Sequence, residues 1–168
     1  TRQRGAPLDL IVAEAMILAN STWGQWLAEH GVPGIYRSQA SLAPGVKVRM
    51  GVKPAPHAGM GVAQYTWATS PLRRYVDLIN QRQLIAWQAG TAPPYAAGSE
   101  ALLTALHDFE LAYDAYAEFQ RNMERYWCLR WLLQESVTHT TAEVVRENLV
   151  KIDRIPLIAR VGALPDTQ

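Results

Sequence analysis

The chain has 168 residues, of which 49% are hydrophobic and 18% charged, and this balance excludes a largely disordered protein. Sixteen basic and fifteen acidic residues leave a formal charge of +1, so any nucleic-acid site must be a local feature of the surface. The single cysteine, Cys128, cannot form an internal disulfide and favours a reducing, cytoplasmic location. No apolar run reaches the roughly 18 to 20 residues that a membrane span needs, so we expect no membrane partner.

The first predicted element is a helix over residues 7–29. Apolar residues recur there at three- and four-residue steps, Pro7 suits a first turn, and Gly31 ends the pattern. Glu14 stands out because its neighbours three and four positions away are all apolar: Leu10, Ile11, Ile17 and Leu18. A carboxylate in that setting is either satisfied by a partner or facing a cavity, and the alternative is a partly exposed helix glutamate.

Strands are predicted next, over residues 46–50 and 62–67, followed by a helix from Pro71 to about Trp87. Ser70 is a good N-cap residue, and a proline in the first helical position costs no hydrogen bond. This helix should direct four apolar side chains towards a core: Leu72, Val76, Ile79 and Leu84. His57, which precedes two glycines, is interpreted as structural because no second ligand stands at a metal-binding spacing from it.

The first turn of this predicted helix contains two arginines, Arg73 and Arg74. Cations are mildly unfavourable there, because that end of a helix already carries partial positive charge. Free N–H groups, the Ser70 hydroxyl and two guanidinium groups together favour a bound anion. Asp77 lies one turn after Arg73 and is expected to orient its guanidinium group. The simpler interpretation is a well-capped surface helix with two solvated arginines.

The C-terminal third is predicted as one long helical region and three short strands. The helix should run over residues 99–135 with a break near His107, and its apolar stripe is interpreted as core. That stripe consists of Leu102, Leu106, Phe109, Tyr113, Tyr116, Met123 and Trp127. Strands follow over residues 142–146, 149–153 and 156–161. The predicted fold is therefore mixed α+β, with strands beside a central helix, a long helix after it, and a β segment at the end.

Residues 65–77 also carry a family pattern. They contain Thr-Ser-Pro-Leu-Arg-Arg-Tyr-Val-Asp after an aromatic run, and the helix that follows reads Asn-Gln-Arg-Gln-Leu. This arrangement resembles the signature of the ribonuclease II and RNase R (RNB-domain) exoribonucleases, and Pro-His-Ala-Gly-Met-Gly at residues 56–61 fits the same context. The connection between Tyr36 and Pro56 departs from the pattern, because it is much shorter than in ribonuclease II.

The resemblance implies the C-terminal part of an RNB-type catalytic domain over residues 1–138. An incomplete S1/OB-like β segment would follow over residues 139–168, since such a barrel needs five strands. The implied activity is that of a 3′-to-5′ exoribonuclease that hydrolyses single-stranded RNA to nucleoside 5′-monophosphates. Mg²⁺ is the implied cofactor, and the upstream remainder of the same polypeptide is an implied partner.

The resemblance also assigns roles to five residues. Arg73 is expected to be the catalytic cation at the scissile phosphate, and Ser70 and Arg74 are expected to help seat phosphate. Glu14, in a Glu-x-Met-x-x-Ala-Asn helix, and Gln120 are expected to border the RNA. Arg74 has an alternative, since it could instead pair structurally.

No metal ligand is predicted within the chain. Two-metal sites need several carboxylates close together, whereas no two aspartates of this sequence lie within five positions of each other. The missing initiator methionine and the abrupt end support the expectation of a piece of a longer protein. Two other function classes stay open: an RNA-binding module without hydrolysis, and a helical interaction domain whose Trp/Tyr stripe docks a partner.

Overall fold

The computed structural model describes residues 7–43 and 45–162 and confirms a mixed α+β fold. Its helices and strands follow the order α1 (Pro7–Glu29), β1 (Tyr36–Ser38), β2 (Arg49–Gly51), α2 (Tyr75–Gln88), α3 (Glu100–Gln134), β3 (Ala142–Arg146), β4 (Leu149–Ile152) and β5 (Ile158–Arg160). The chain divides into two units, residues 1–111 and 112–168, with α3 crossing the boundary. In the described part, no helix combines the length and apolar character that crossing a membrane requires.

Helix α1 has the bounds that its apolar periodicity predicts. Its C-terminal half packs against the rest of the first unit through Asn20, Gly24 and Leu27, which are buried. A side chain at Gly24 would meet the backbone of Thr66 and Tyr65 at 3.4 to 3.5 Å, so the glycine lets the helix approach that segment closely. The N-terminal half of α1 leaves most of its apolar side chains exposed: Leu8, Leu10, Ile11, Val12 and Leu18.

The core of the first unit forms where α2 and the first turns of α3 meet the segment before α2. Its buried members are Ile35, Tyr65, Trp67, Val76, Ile79, Leu102 and Leu106. The predicted α3 stripe is therefore core only at its N-terminal end, and Phe109 packs against the edge of this cluster. Farther along, Tyr116 and Trp127 are exposed, so the interpretation of the whole stripe as core is wrong.

Strands contribute less to the first unit than the sequence predicts. Strands β1 and β2 form an antiparallel pair of three residues each, so the prediction over residues 46–50 holds only at its C-terminal end. Residues 62–67 are not a strand and make single bridges, between Thr66 and Tyr36 and between Val62 and His57. Thr66 shows why: its N–H donates to the Asn20 carbonyl of α1 and its hydroxyl to the Ile35 carbonyl, so helix and side-chain partners replace a strand ladder.

Helix α3 continues through His107, and the predicted break there is wrong. Its 35 residues contain neither glycine nor proline, so nothing in the backbone forces a kink, and the helix is about 52 Å long at 1.5 Å per residue. The part after Leu111 belongs to the second unit. Cys128, a free cysteine, is buried there.

The second unit continues from α3 into a three-stranded antiparallel sheet in the order β3-β4-β5. The three strands lie where the sequence predicts them, and Val150 pairs with Val144 on one side and Ala159 on the other. Val150 and Leu157 are its buried apolar residues outside the helix. The interpretation as an incomplete S1/OB-like segment and the domain boundary at residue 138 stay predictions, and residues 163–168 lie outside the described part of the chain.

Candidate functional site

A tight turn over residues 70–74 forms the exposed end of the candidate site. The Ser70 carbonyl accepts hydrogen bonds from the N–H groups of Arg73 (3.2 Å) and Arg74 (3.1 Å). Arg73 points into solvent, and its Nη2 donates to the Ser70 hydroxyl over 3.4 Å. Leu72 is fully exposed, which overturns the prediction that it packs in the core. The turn therefore presents a guanidinium group and a hydroxyl side by side on the surface.

Helix α2 begins at Tyr75, four residues later than predicted, and its N-cap is Arg74 rather than Ser70. Arg74 has an extended backbone, with φ −132° and ψ 115°, and this conformation interrupts the helix that Pro71 would otherwise have started. In this conformation the Arg74 side chain reaches partners in the interior.

The first of these partners is Asp77. Because Asp77 pairs with Arg74, the expectation that it orients Arg73 is wrong. The Nε atom of Arg74 donates to Asp77 Oδ2 over 2.8 Å, and its Nη2 donates to Oδ1 over 2.7 Å. Both residues are buried, and Asp77 is fully so. The alternative that Arg74 pairs structurally therefore holds. Asp77 Oδ1 also accepts the Ser70 N–H over 2.8 Å, so one carboxylate binds both ends of the turn.

The Trp67 ring provides a second support for Arg74 and brings in another arginine. The guanidinium carbon of Arg74 lies 4.0 Å from the centre of the ring, and that of Arg37 lies 3.8 Å from it. Cation–π contacts of this kind contribute about 0.5 to 2 kcal/mol each, with the larger values at desolvated sites. Trp67 is buried, and Arg37 extends from β1. Two guanidinium groups from distant parts of the sequence thus share one aromatic surface.

Two buried asparagines hold the segment that leads into the turn. Asn80 of α2 accepts the Ile35 N–H (2.8 Å) and donates to the carbonyls of Ile35 and Trp67 (both 2.9 Å). Asn20 of α1 accepts the Ala68 N–H over 3.0 Å. Because these amides satisfy backbone groups that have no strand partner, residues 65–69 keep a fixed position without forming a sheet.

Arg73 and Arg74 place two guanidinium groups beside the carboxylate of Asp77, and Arg37 adds a third on the Trp67 ring. The planar, permanently charged guanidinium group of arginine matches the geometry of phosphate oxygens, and Arg73 is the exposed member of this cluster. The arrangement is suited to contact one phosphate at the Ser70–Arg73 turn. It offers no nucleophile with an adjacent base, because the described contacts of the Ser70 hydroxyl are with a cation.

The other two predicted site residues lie elsewhere. Glu14 is exposed on α1, and so are Leu10, Ile11 and Leu18, so the alternative of an exposed helix glutamate describes it. Gln120 is exposed on the part of α3 that belongs to the second unit. The roles assigned to these two residues stay predictions.

The described residues do not fit a magnesium site. Nowhere in residues 7–43 and 45–162 do three or more His, Cys, Asp or Glu side chains come together in a way that could hold a metal ion. Asp77, the carboxylate of the site, has both oxygens committed to Arg74 and Ser70. A hard cation such as Mg²⁺ needs carboxylate oxygens that are free to coordinate it, so Asp77 does not supply a ligand.

His57 lies buried near this cluster, with its ring packed edge-on against Tyr65 at 5.5 Å between centres. Burial lowers the pKa of His57, and the nearby charge of Arg37 lowers it further. Neither ring nitrogen has a hydrogen-bond partner within the described chain. His57 is therefore a neutral, packed side chain at neutral pH, in agreement with its structural interpretation.

Residues 46–90, which include the turn, Trp67, Asp77 and all of α2, match the RNB domain. Over this segment the chain is similar to the RNB-domain family. It is 32% identical over 144 residues to an uncharacterized ribonuclease of Synechocystis, in an alignment that covers 73% of the chain and 21% of that relative. The chain thus spans about a fifth of the length of this relative.

Two solved RNB-type structures share the fold. An active-site mutant of an exoribonuclease from Candida glabrata superposes with a TM-score of 0.73 at 24% identity, over 90% of this chain and 26% of that one. RNase R of Mycoplasma genitalium, solved in complex with double-stranded RNA, gives a TM-score of 0.68 at 15% identity, over 91% of this chain and 37% of that one. These likenesses confirm the RNB-type fold that the motif predicts.

Sequence reasoning found the turn of this RNB segment but missed the residues that hold it. The motifs that carry the family resemblance include or adjoin Asn20, Trp67 and Asn80. No local sequence rule, however, predicts what an asparagine or a tryptophan contacts at these positions. Arg37 has no local signal at all, because its contact with Trp67 depends on the fold bringing together residues thirty positions apart.

Proposed function

We propose that this chain is the phosphate-contacting segment of a 3′-to-5′ exoribonuclease that hydrolyses single-stranded RNA to nucleoside 5′-monophosphates. The observation that carries the proposal is the turn over residues 70–74, where the exposed Arg73 lies beside the Ser70 hydroxyl on an anchored backbone. The RNB match over residues 46–90 contains this turn, and a structural relative was solved with bound RNA. The single cysteine supports a reducing, cytoplasmic location for it.

In this proposal Arg73 is the catalytic cation. Negative charge grows on the scissile phosphate as water attacks, and a guanidinium group already fixed beside it stabilises that charge without reorganising. The Ser70 hydroxyl, 3.4 Å from Arg73 Nη2, helps to seat the same phosphate. Arg74 supports the turn from the interior, because its Nε and Nη2 already donate to Asp77. Glu14 and Gln120 are proposed to border the RNA elsewhere.

Mg²⁺ belongs to this proposal only as an ion held mainly by residues outside this chain. The carboxylates of the described residues form no group that could hold a metal ion, and both oxygens of Asp77 already bind Ser70 or Arg74. The 168-residue chain by itself is therefore expected to release no nucleoside monophosphates from single-stranded RNA, with Mg²⁺ or with Mn²⁺. Monophosphate release by the purified chain would refute the placement of the metal ligands outside it.

The role of Arg73 is tested in the complete exoribonuclease that carries this segment, with Arg73→Ala and the matched control Arg82→Ala. Arg82 is exposed on α2, the helix that follows the turn, and lies outside the turn itself. Single-turnover decay of labelled RNA at saturating enzyme should slow by roughly 10²- to 10³-fold for Arg73→Ala, the usual value of a preorganised donor. RNA affinity at matched salt should fall far less, because one charge-assisted contact, about 1.5 to 3 kcal/mol, is a small part of many.

Arg73→Lys should recover only part of the rate, since the charge returns without the planar fork. Arg82→Ala should leave the single-turnover rate unchanged. Equal losses of rate and affinity for Arg73→Ala, or no loss, would show that Arg73 is not the catalytic cation. Tight, salt-dependent RNA binding by the complete protein with no hydrolysis would instead support an RNA-binding module.

A further inference from the structure

We infer that Asp77 is a positioning residue of the phosphate site: its carboxylate holds the backbone of the 70–74 turn, and through it the Arg73 guanidinium and the Ser70 hydroxyl. The inference rests on the function proposed above and deepens it. Asp77 is fully buried in the first turn of α2, and its described side-chain hydrogen bonds go to Ser70 and Arg74. Its effect on the reaction must pass through the residues that it holds.

The two carboxylate oxygens of Asp77 accept three hydrogen bonds. One oxygen accepts the Ser70 N–H at 2.8 Å and Arg74 Nη2 at 2.7 Å, and the other accepts Arg74 Nε at 2.8 Å. Ser70 and Arg74 are the two ends of the turn, so one carboxylate binds the backbone of one end and the side chain of the other. Arg73 lies between these two anchored residues.

The turn over residues 70–74 has an alternative conformation, in which a helix would begin at Pro71. Ser70 followed by Pro71 is a strong helix start, and a helix begun there would use the Ser70 hydroxyl to cap the N–H groups of the new first turn. In the structure that hydroxyl instead accepts from Arg73 Nη2 at 3.4 Å, and Arg74 keeps an extended backbone. Asp77 holds the Arg74 side chain in the interior, and this contact accompanies the extended Arg74 backbone that separates the turn from α2.

The position of the turn matters for the rate of the reaction. Preorganised donors accelerate a reaction because they need no rearrangement when charge develops, and a misplacement of about 1 Å can cost roughly 10²-fold in rate. A turn released from Asp77 would sample the helical alternative, in which Arg73 and the Ser70 hydroxyl no longer act together. We therefore expect Asp77 to influence the rate of the chemical step more than RNA affinity.

The test is a double-mutant cycle in the complete exoribonuclease, with Asp77→Asn, Arg73→Ala and both together, read as single-turnover rates at saturating enzyme. Asp77→Asn should slow the reaction by at least about tenfold, and the double variant should be no slower than Arg73→Ala alone. The matched control is Gln83→Leu, which removes another fully buried side chain of α2 that bonds the backbone of Pro33 and Tyr95 rather than the turn. It should lower thermal stability and leave the rate unchanged.

A second pair of variants keeps the test valid if Asp77→Asn fails to fold. Replacing a buried ion pair by apolar residues of similar size is often tolerated, so Arg74→Met with Asp77→Leu should fold. Arg74→Met alone retains the bond from Asp77 to the Ser70 N–H. The double variant should therefore be slower than Arg74→Met by at least about tenfold, at a temperature where both are folded.

Each outcome separates the inference from the function on which it rests. A large loss for Arg73→Ala with a normal rate for Asp77→Asn, or with the two losses multiplying in the double variant, overturns the positioning role and leaves the proposed function standing. A normal rate for Arg73→Ala overturns both. Equal rates for Arg74→Met and for its combination with Asp77→Leu also overturn the positioning role.

Discussion

Replacing Asn80 with alanine should destabilise the first unit by about 2 to 6 kcal/mol. The Asn80 side-chain amide accepts a hydrogen bond from the Ile35 N–H and donates one to the Trp67 carbonyl. Neither of these two backbone groups lies in a strand ladder that could replace the lost hydrogen bond. The Ile35 carbonyl keeps a bond from the Thr66 hydroxyl at 2.6 Å, so two buried backbone groups, not three, lose a partner. Each orphaned group costs about 1 to 3 kcal/mol, against a total stability of about 5 to 15 kcal/mol for a domain.

The measurement is urea unfolding of the 168-residue chain followed by far-ultraviolet circular dichroism, with amide hydrogen exchange at Ile35 as the local probe. Asn122→Ala is the matched control, because Asn122 is exposed on α3 and the same change there should stay within about 0.5 kcal/mol. Asn80→Asp should be worse than Asn80→Ala, since it sets a buried carboxylate against two carbonyl oxygens. Asn80→Ala with the stability of the control, or unchanged exchange at Ile35, would refute the reasoning.

Two predictions concern pH. Burial raises the pKa of Tyr36 from 10.0 to about 12, so the folded state keeps a proton that the unfolded state releases. Stability should hold below pH 10 and fall by about 1.4 kcal/mol per pH unit towards pH 12; urea unfolding at pH 9 to 11.5 should show this decline in the wild type and not in Tyr36→Phe. Burial and the charge of Arg37 lower the pKa of His57, so its contribution should be complete above about pH 6.5 and be lost as the pH falls through its lowered value. Thermal melts from pH 7.5 to 5 check this, and a decline that is equally steep in His57→Phe would contradict it.

Local sequence rules predicted the long helices because local forces dominate there. The bounds of α1 follow from its apolar periodicity and from Gly31, and α3 needs only an uninterrupted run without glycine or proline. The start of α2 escaped prediction because two effects compete. Ser70 and Pro71 favour an early start by local propensity. Arg74 instead keeps an extended backbone while its side chain contacts Asp77 and Trp67, and these contacts exist only in the folded chain.

The candidate site divides in a similar way. Arg73 and Ser70 could be selected from the motif, and the structure places them in contact at 3.4 Å. The partner of Asp77 could not be decided from spacing, because Arg73 and Arg74 are both within one turn of it and only packing against Trp67 distinguishes them. Residues 62–67 have the alternation of a strand, but Asn80 and α1 supply the hydrogen bonds that a neighbouring strand would have given.

The connection that leaves β1 is closed at its base. The Gln39 N–H donates to the Pro56 carbonyl and the Ala58 N–H donates to the Gln39 carbonyl, both over 3.0 Å, so the chain departs and returns at one point. For a loop tied in this way, each doubling of its length costs only about 0.6 kcal/mol in closure entropy. The stretch between Gln39 and the start of β2 is therefore where this protein can accept an inserted reporter, while β2 stays paired with β1 and Tyr36 stays bridged to Thr66.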